Sequence, residues 1–456
     1  MDYIVSTPCG QVKGVAGKCL NTVAYKGIRY ATAGRWEYPT EVTSWEGVYD
    51  ASQYGVCSYQ PRAFYNEEEN KKKYFYYNEF RNGESYTYGE DCLFLNVFTP
   101  DKLEEGKKLP VIIYIHGGGF TGGCGHEKHF DEPMWPLYDV IGVTLNYRLG
   151  PMGFVCPPEL KEEAGYTGNY GLFDQMTAIS WVRHNIAAFG GDPDCITIMG
   201  QSAGAMSVQQ HCLSPLTEGM FHRAVMSSGG GVNNVLSAAP AEKRYDYWKK
   251  VMEYAGCENL EQFRALAPEK LFAAWDRVKR EQHNPGCFPC IDGRLVVDTA
   301  ANILKAGKQH KIPYMAGITS EDMMPPILFD MSRNWCAAQD VPSYTWYFDR
   351  QLPGDKNGAW HSADLWYWLG TYYRCWRPLN LIDLVLARHM LVYLCSFAAT
   401  GDPNTDTPKH LQCVPTWLPS TKKQKKVMRL GYHIDMYRPS KLRMLKTMLF
   451  NKAVGE

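Results

Sequence analysis

Ile196-Thr197-Ile198-Met199-Gly200-Gln201-Ser202-Ala203-Gly204 is a short apolar run that stops at a glycine, presents one serine and resumes with small residues. Residues 200–204 fit G-x-S-x-G. In that pattern a strand ends, the chain reverses and a helix begins, with the serine at the apex in a strained backbone conformation. Gly200 and Gly204 are expected where strand and helix close on each other and a side chain would collide. The turn lifts the serine hydroxyl to the end of a sheet. It also aims the first, unpaired N–H groups of the helix at the same point. Glycine and serine are common in loops, so the rest of the chain decides whether this reading holds.

Moving outward, strands and helices alternate. Pro110-Val111-Ile112-Ile113-Tyr114-Ile115 is the continuous apolar run of a strand buried on both faces, and Val140 to Tyr147 is another. Leu172, Met176, Ile179, Val182, Ile186 and Phe189 form one helical stripe, stopped by Gly190-Gly191. Arg223 to Ser228 and Tyr314 to Thr319 read as later strands, and Glu90 to Phe98 as an earlier one. Residues 5–60 read as antiparallel hairpins at a sheet edge. Residues 240–280 are helical and charged, and the chain ends in a basic helical tail. Leu381 to Thr400 is apolar but contains Asp383, Arg388 and His389, which suits a buried or half-buried helix better than a membrane span. The pattern predicts one α/β domain over 1–456, with a central, mostly parallel twisted sheet flanked by helices and antiparallel N-terminal edge strands. Residues 59–88 stand apart. They carry Tyr and Phe residues around a polar block from Asn66 to Lys73, a candidate lid over a cleft.

Lys+Arg and Asp+Glu both number 48 among 456 residues, so the formal net charge is zero. That balance gives no reason to expect nucleic acid or an anionic membrane as partner. The 15 cysteines are scattered. Met1-Asp2-Tyr3-Ile4-Val5 shows no basic stretch leading into an apolar one, so reduced thiols and a cytoplasmic location are expected. Cys287-Phe288-Pro289-Cys290 lacks a second Cys/His pair at zinc spacing and reads as a loop.

Ser202 needs a base, a group that orients the base, and donors for an oxyanion. His116-Gly117-Gly118-Gly119-Phe120 follows a buried strand and offers such donors, because glycines let the backbone approach a substrate closely.

Several long motifs then line up in order. They are Gly27-Ile28-Arg29-Tyr30-Ala31, Glu90-Asp91-Cys92-Leu93-Phe94-Leu95-Asn96-Val97, Asn146-Tyr147-Arg148-Leu149-Gly150-Pro151-Met152-Gly153-Phe154 and Gly168-Asn169-Tyr170-Gly171-Leu172-Phe173-Asp174-Gln175. With Phe189-Gly190-Gly191-Asp192-Pro193 they make nearly the whole chain resemble the type-B carboxylesterase family, the cholinesterase-like branch of the α/β-hydrolases. The resemblance implies the α/β-hydrolase fold and the chain order Ser, acid, His. The acid falls at Asp322, in Ser320-Glu321-Asp322-Met323, with Glu321 as competitor. The base falls at His361, in Gly358-Ala359-Trp360-His361-Ser362-Ala363-Asp364-Leu365-Trp366-Tyr367. His126, His184 and His222 lack such a context and read as structural. The oxyanion donors implied are the N–H groups of Gly118, Gly119 and Ala203. Phe120, Gln201 and Trp360 are candidates for contact with substrate.

Three departures from the family pattern stand out. Asp322 and His361 are separated by an unusually short connection, which implies a trimmed helical insertion. Gln201 stands where cholinesterases carry Glu. The segment from 57 to 92 has no Trp to hold a quaternary ammonium. These argue against choline esters. Cys57 and Cys92 lie near positions bridged in secreted relatives and are expected reduced.

The function expected is a serine carboxylesterase acting on uncharged small-molecule esters, aromatic ones among them, through an acyl-enzyme, with no metal or organic cofactor required. A lactonase, thioesterase or acyltransferase would use the same residues. Adhesion relatives that have lost the triad are the rival class. The sequence gives no oligomeric state.

Overall fold

The computed structural model describes residues 3–71, 73–231, 238–405 and 414–450. Among them a 13-stranded sheet organises the chain. It begins antiparallel, with β1 (Tyr3–Thr7), β2 (Gly10–Ala16), β3 (Thr22–Arg29) and β4 (Phe94–Pro100) in that order. Next come β5 (Leu109–Ile115) and β6 (Ile141–Leu145) in exchanged positions, so that β4 pairs antiparallel with β6 and β6 pairs parallel with β5. β5 also pairs parallel with β7 (Gly191–Gln201), followed by β8 (Arg223–Ser227), β9 (Tyr314–Thr319), β10 (Tyr344–Phe348) and β11 (Val427–Leu430), all parallel. Antiparallel β12 (Ile434–Tyr437) closes the far edge. Val48–Asp50 pairs with β2 off this path. The reversal of strand order around β5 is the kind of switch point where α/β sheets hold ligands, at the carboxyl ends of the strands.

The central strands are buried on both faces, which is why they read as unbroken apolar runs: all residues of β6 and β9 are buried. Of the helices that bear on the site, α2 (Tyr170–Asn185), α3 (Ala203–Leu213) and α5 (Leu381–Thr400) pack on these strands, while α1 (Tyr74–Phe80) and α4 (Pro268–Gln282) lie over the carboxyl end at the cavity. The stripe expected on α2 is there, but the helix is buried nearly all round. It lies between β7 and the small ribbon of Ala31–Thr32 with Thr40–Glu41. Ile186 and Phe189 belong to a short 3-10 turn after it, ended by Gly190 at φ 83°.

α5 is long and apolar enough by composition to cross a membrane, but 67% of its most apolar window is buried inside the protein. Asp383 completes a capping box with Asn380 and takes both Arg350 (2.7 and 3.0 Å) and the Tyr367 hydroxyl (2.8 Å). The basic tail forms a helix over Lys441–Phe450; residues 451–456, and Lys72 in the earlier lysine run, lie outside the described residues.

Two expectations need adjusting. The strand expected from Glu90 starts at Phe94, because Glu90 and Asp91 pair with Arg35 and Arg29 instead. Residues 59–88 are no open loop: they contain the turn Pro61–Ala63 and the helix α1. Arg62 and Arg81 both reach Glu67 and Glu127, at 2.5–3.5 Å, and all four side chains are nearly buried. Burial pushes Glu127 up, but the two guanidiniums outweigh it and hold its pKa at about 2. This ion network ties the segment to the chain just after the glycine-rich loop.

Candidate active site

Ser202 follows β7 and caps α3 with φ 56° and ψ −126°. Such a backbone costs about 1–3 kcal/mol and persists only where it is over-determined. Here the Ser202 N–H donates to Ser227 O on β8 (2.9 Å), and Ser202 O accepts from Met206 N (3.0 Å) in the first turn of α3. The flanking glycines leave no room for a side chain. A Cβ on Gly200 would lie 2.4 Å from the Gly204 backbone, and one on Gly204 2.0 Å from Ile115 O at the end of β5. The steric job expected of both glycines is thus visible.

The glycine-rich loop after β5 is held from below by the 146–150 motif. The Tyr147 hydroxyl donates to His116 O (2.8 Å), Gly150 N to Phe120 O (2.7 Å), and Gly125 N to Asn146 Oδ1 (2.7 Å). Arg148 is buried and anchored on Asp174 by two charge-assisted bonds of 2.7 and 2.9 Å. The loop turns at Gly118 and Gly119, with φ 114° and 63°. Both are exposed, and among the described residues neither N–H donates a backbone bond outside the regular elements. A Cβ on Gly117 would approach Ser202 Cβ to 3.1 Å, which places the loop directly against the serine.

His361 is brought to the same place by β9 and the loop beyond β10. Its Nδ1 lies 2.6 Å from Asp322 Oδ1. The Asp322 carboxylate is further fixed by Met323 N (2.9 Å) and by the N–H and hydroxyl of Thr319 (3.3 and 3.2 Å). Burial opposes the charge on both partners, yet their mutual attraction prevails: Asp322 is held below the usual carboxylate range and His361 is raised. Glu321 has another task. Its Oε2 accepts from Ala359 N (2.9 Å) and its own N–H donates to Ala359 O (3.1 Å), so it carries the loop that presents His361. With Asp322 on Nδ1–H, Nε2 is the free acceptor, and the Gln201 amide donates to it at 3.1 Å. Among the described residues no hydrogen bond joins His361 to Ser202 Oγ in this arrangement.

Ser202, Gln201, His361, Gly118 and Gly119 line one cavity of about 1120 Å³. Phe64, Tyr65, Tyr76 and Phe80 from the 59–88 segment form part of its wall, and Phe272 and Trp275 of α4 another part. Two residues expected to touch substrate do not line it. Phe120 is fully buried against Phe154 and Phe288, because its φ of 59° turns it under the loop. Trp360 is buried beneath Phe75, Tyr76 and Phe80, where it supports the wall rather than forming it. Of the histidines read as structural, exposed His184 pairs with Glu41 (2.7 Å), and His222 accepts from Ile196 N (3.2 Å). Cys57 and Cys92 are free thiols.

Nothing local in the sequence marks α4 as a wall, since Phe272 and Trp275 carry no motif. Asp364 sits in the histidine motif with a contact set of its own. That carboxyl is buried, accepts from Ser227 Oγ (2.8 Å) and Trp368 Nε1 (3.1 Å), and is raised to about 6 by burial and by Asp322.

With this geometry in hand, comparison with known proteins is direct. The sequence model described as "Carboxylesterase family" matches residues 1–339 and 328–447. Its two pieces meet between Asp322 and His361, where the connection is short. The para-nitrobenzyl esterase of Bacillus subtilis (strain 168) is 34% identical over 330 residues, 70% of this chain and 63% of that protein. The bile salt-activated lipase of Mus musculus is 35% identical over 321 residues, 65% of this chain and 48% of the lipase. The matches thus span less than two thirds of these relatives' length. Among solved structures, a thermophilic PNB esterase superposes with a TM-score of 0.83 at 26% identity, covering 98% of this chain and 100% of that one. The architecture is the α/β-hydrolase fold, and the chain belongs to the carboxylesterase family.

Proposed function

We propose that this protein is a serine carboxylesterase working through an acyl-enzyme. The observation that carries the reading is the convergence on one cavity of Ser202 at its strained turn, the Asp322–His361 pair, and the exposed glycines at 118 and 119. The Ser202 hydroxyl takes over His361 Nε2 from the Gln201 amide; serine–base contacts of this type commonly tighten as substrate binds. His361 then accepts the proton as Oγ attacks the ester carbonyl. Asp322 keeps Nδ1 protonated and stabilises the imidazolium. Gly118, Gly119 and Ala203 N–H groups receive the oxyanion, each worth ~10²–10³ in rate. His361 returns the proton to the leaving alcohol, and water releases the acyl group by the same steps in reverse.

The cavity favours small-molecule esters without charge. Its rings offer stacking surface, and the Arg62 and Arg81 guanidiniums on its wall are already neutralised by Glu67 and Glu127. Its volume slightly exceeds that of ordinary ligand pockets, which run to ~1,000 Å³, so bulky or aromatic groups fit. Hydrolysis of p-nitrophenyl esters tests the proposal. Wild type should turn them over and Ser202→Ala should not; equal rates for the two would refute it.

A further inference from the structure

Cys57, Cys124 and His126 form a cluster that ester hydrolysis does not use. One ligand atom from each lies within 4.8 Å of the other two. Cys57 Sγ is 3.6 Å from His126 Nε2. The three residues are nearly or fully buried. They come from two separate stretches of chain, one before the aromatic wall segment and one just after the glycine-rich loop. Gln60 joins the same two stretches through Gly123, donating to its O and accepting from its N, both at 3.0 Å.

From this geometry we propose that Cys57, Cys124 and His126 bind a structural, thiophilic divalent cation of the zinc class. Two thiolates and an imidazole are the donor set that tetrahedral Zn²⁺ selects, and ligand atoms this close need only a small contraction to meet one ion. Two thiolates also neutralise the ion, so the buried site carries no net charge. The His126 ring is held in place by stacking on Tyr54, with centroids 4.4 Å apart and planes 2° apart, and Tyr54 is itself fixed by a hydrogen bond to Asp131. Orientation of a ligating imidazole by its neighbours is what metal sites need. Tyr86 borders the cluster. Its ring lies 5.5 Å from that of His126, and its buried hydroxyl has no hydrogen-bond partner among the described residues. The ion staples the cleft wall to the chain that follows the oxyanion loop. Because the cluster is closed, it loads as the chain folds.

The test is zinc content and coordination of the whole chain, produced in zinc-supplemented medium under reducing conditions and freed of loose metal. The wild type should retain one zinc per chain. Its X-ray absorption should show two sulfurs at about 2.3 Å. Cys57→Ser and Cys124→Ser should each lose the zinc and melt at lower temperature, while Cys257→Ser keeps it. A wild type without zinc, a shell of nitrogen and oxygen only, zinc retained in both cluster variants, or a Cys57–Cys124 disulfide in the purified protein would each overturn the assignment. If the serine variants do not fold, the wild-type absorption spectrum decides alone.

Discussion

Asp322 Oδ1 stands 2.6 Å from His361 Nδ1, while the preceding carboxylate, Glu321, is bound to the backbone N–H of Ala359. The two acids therefore differ in kind. Asp322→Asn should leave the imidazole in the wrong tautomer and lower kcat by ~10⁴. Glu321→Gln keeps an acceptor for Ala359 and should change kcat by less than ~10-fold, a hydrogen bond being worth about 1 kcal/mol. Steady-state rates on one p-nitrophenyl ester rank them, and the reverse order would move the acid to Glu321.

The pH profile follows from the same pair. His361 acts as a base only when neutral, and Asp322 raises it above its ordinary 6.5 despite burial. kcat/KM should fall on the acid side with an apparent pKa above 6.5. Stability runs the other way for this group. A histidine raised on folding stabilises fully below its unfolded pKa, and that contribution disappears as pH rises through the folded value. Gln201→Glu places a negative charge on Nε2 and should move the acid limb upward. Gln201→Leu removes one neutral donor, and without an added charge its acid limb should not move upward. An unmoved limb in Gln201→Glu would mean that Gln201 does not touch the base in solution.

Glu127 makes a separate claim about the cleft wall. Its folded pKa of about 2 lies below its usual 4.5. A carboxylate lowered on folding stabilises fully above its unfolded pKa and loses that contribution as pH falls through the folded value. Between pH 4.5 and 2 the wild type should therefore lose on the order of 3 kcal/mol from this group. Glu127→Gln should cost about 3–5 kcal/mol at neutral pH, since Arg62 and Arg81 then lose a buried partner. Urea unfolding at several pH values reads both effects. Equal stability of the two proteins at pH 7 would show that the network does not hold the wall.

What could be read from the chain beforehand was whatever depends on local sequence. The central strands announce themselves because burial on both faces demands unbroken apolar runs, as at Ile112 and Ile141. The turn at Ser202 is legible because only glycine fits against Ile115 O. Long-range packing was not legible. Phe120 follows three glycines and looks like a cleft residue, but its backbone turns it into the core. Trp360 adjoins His361 in sequence but is buried under Phe75, Tyr76 and Phe80 and does not line the cavity. The grouping of Cys57 with Cys124 and His126 joins positions far apart in the chain, with spacing that matches no metal motif. Glu67 and Glu127 carry no local signal of their pairing with Arg62 and Arg81, which only the fold brings about.

The central claim is that Ser202 is activated by His361 and attacks. Its most direct test is intact-protein and peptide mass analysis after treatment with a fluorophosphonate. The account predicts one adduct per chain, on the peptide that contains Ser202, formed more slowly in Asp322→Asn and absent from Ser202→Ala. An adduct on a different residue, or an unlabelled wild type that still hydrolyses esters, would contradict it.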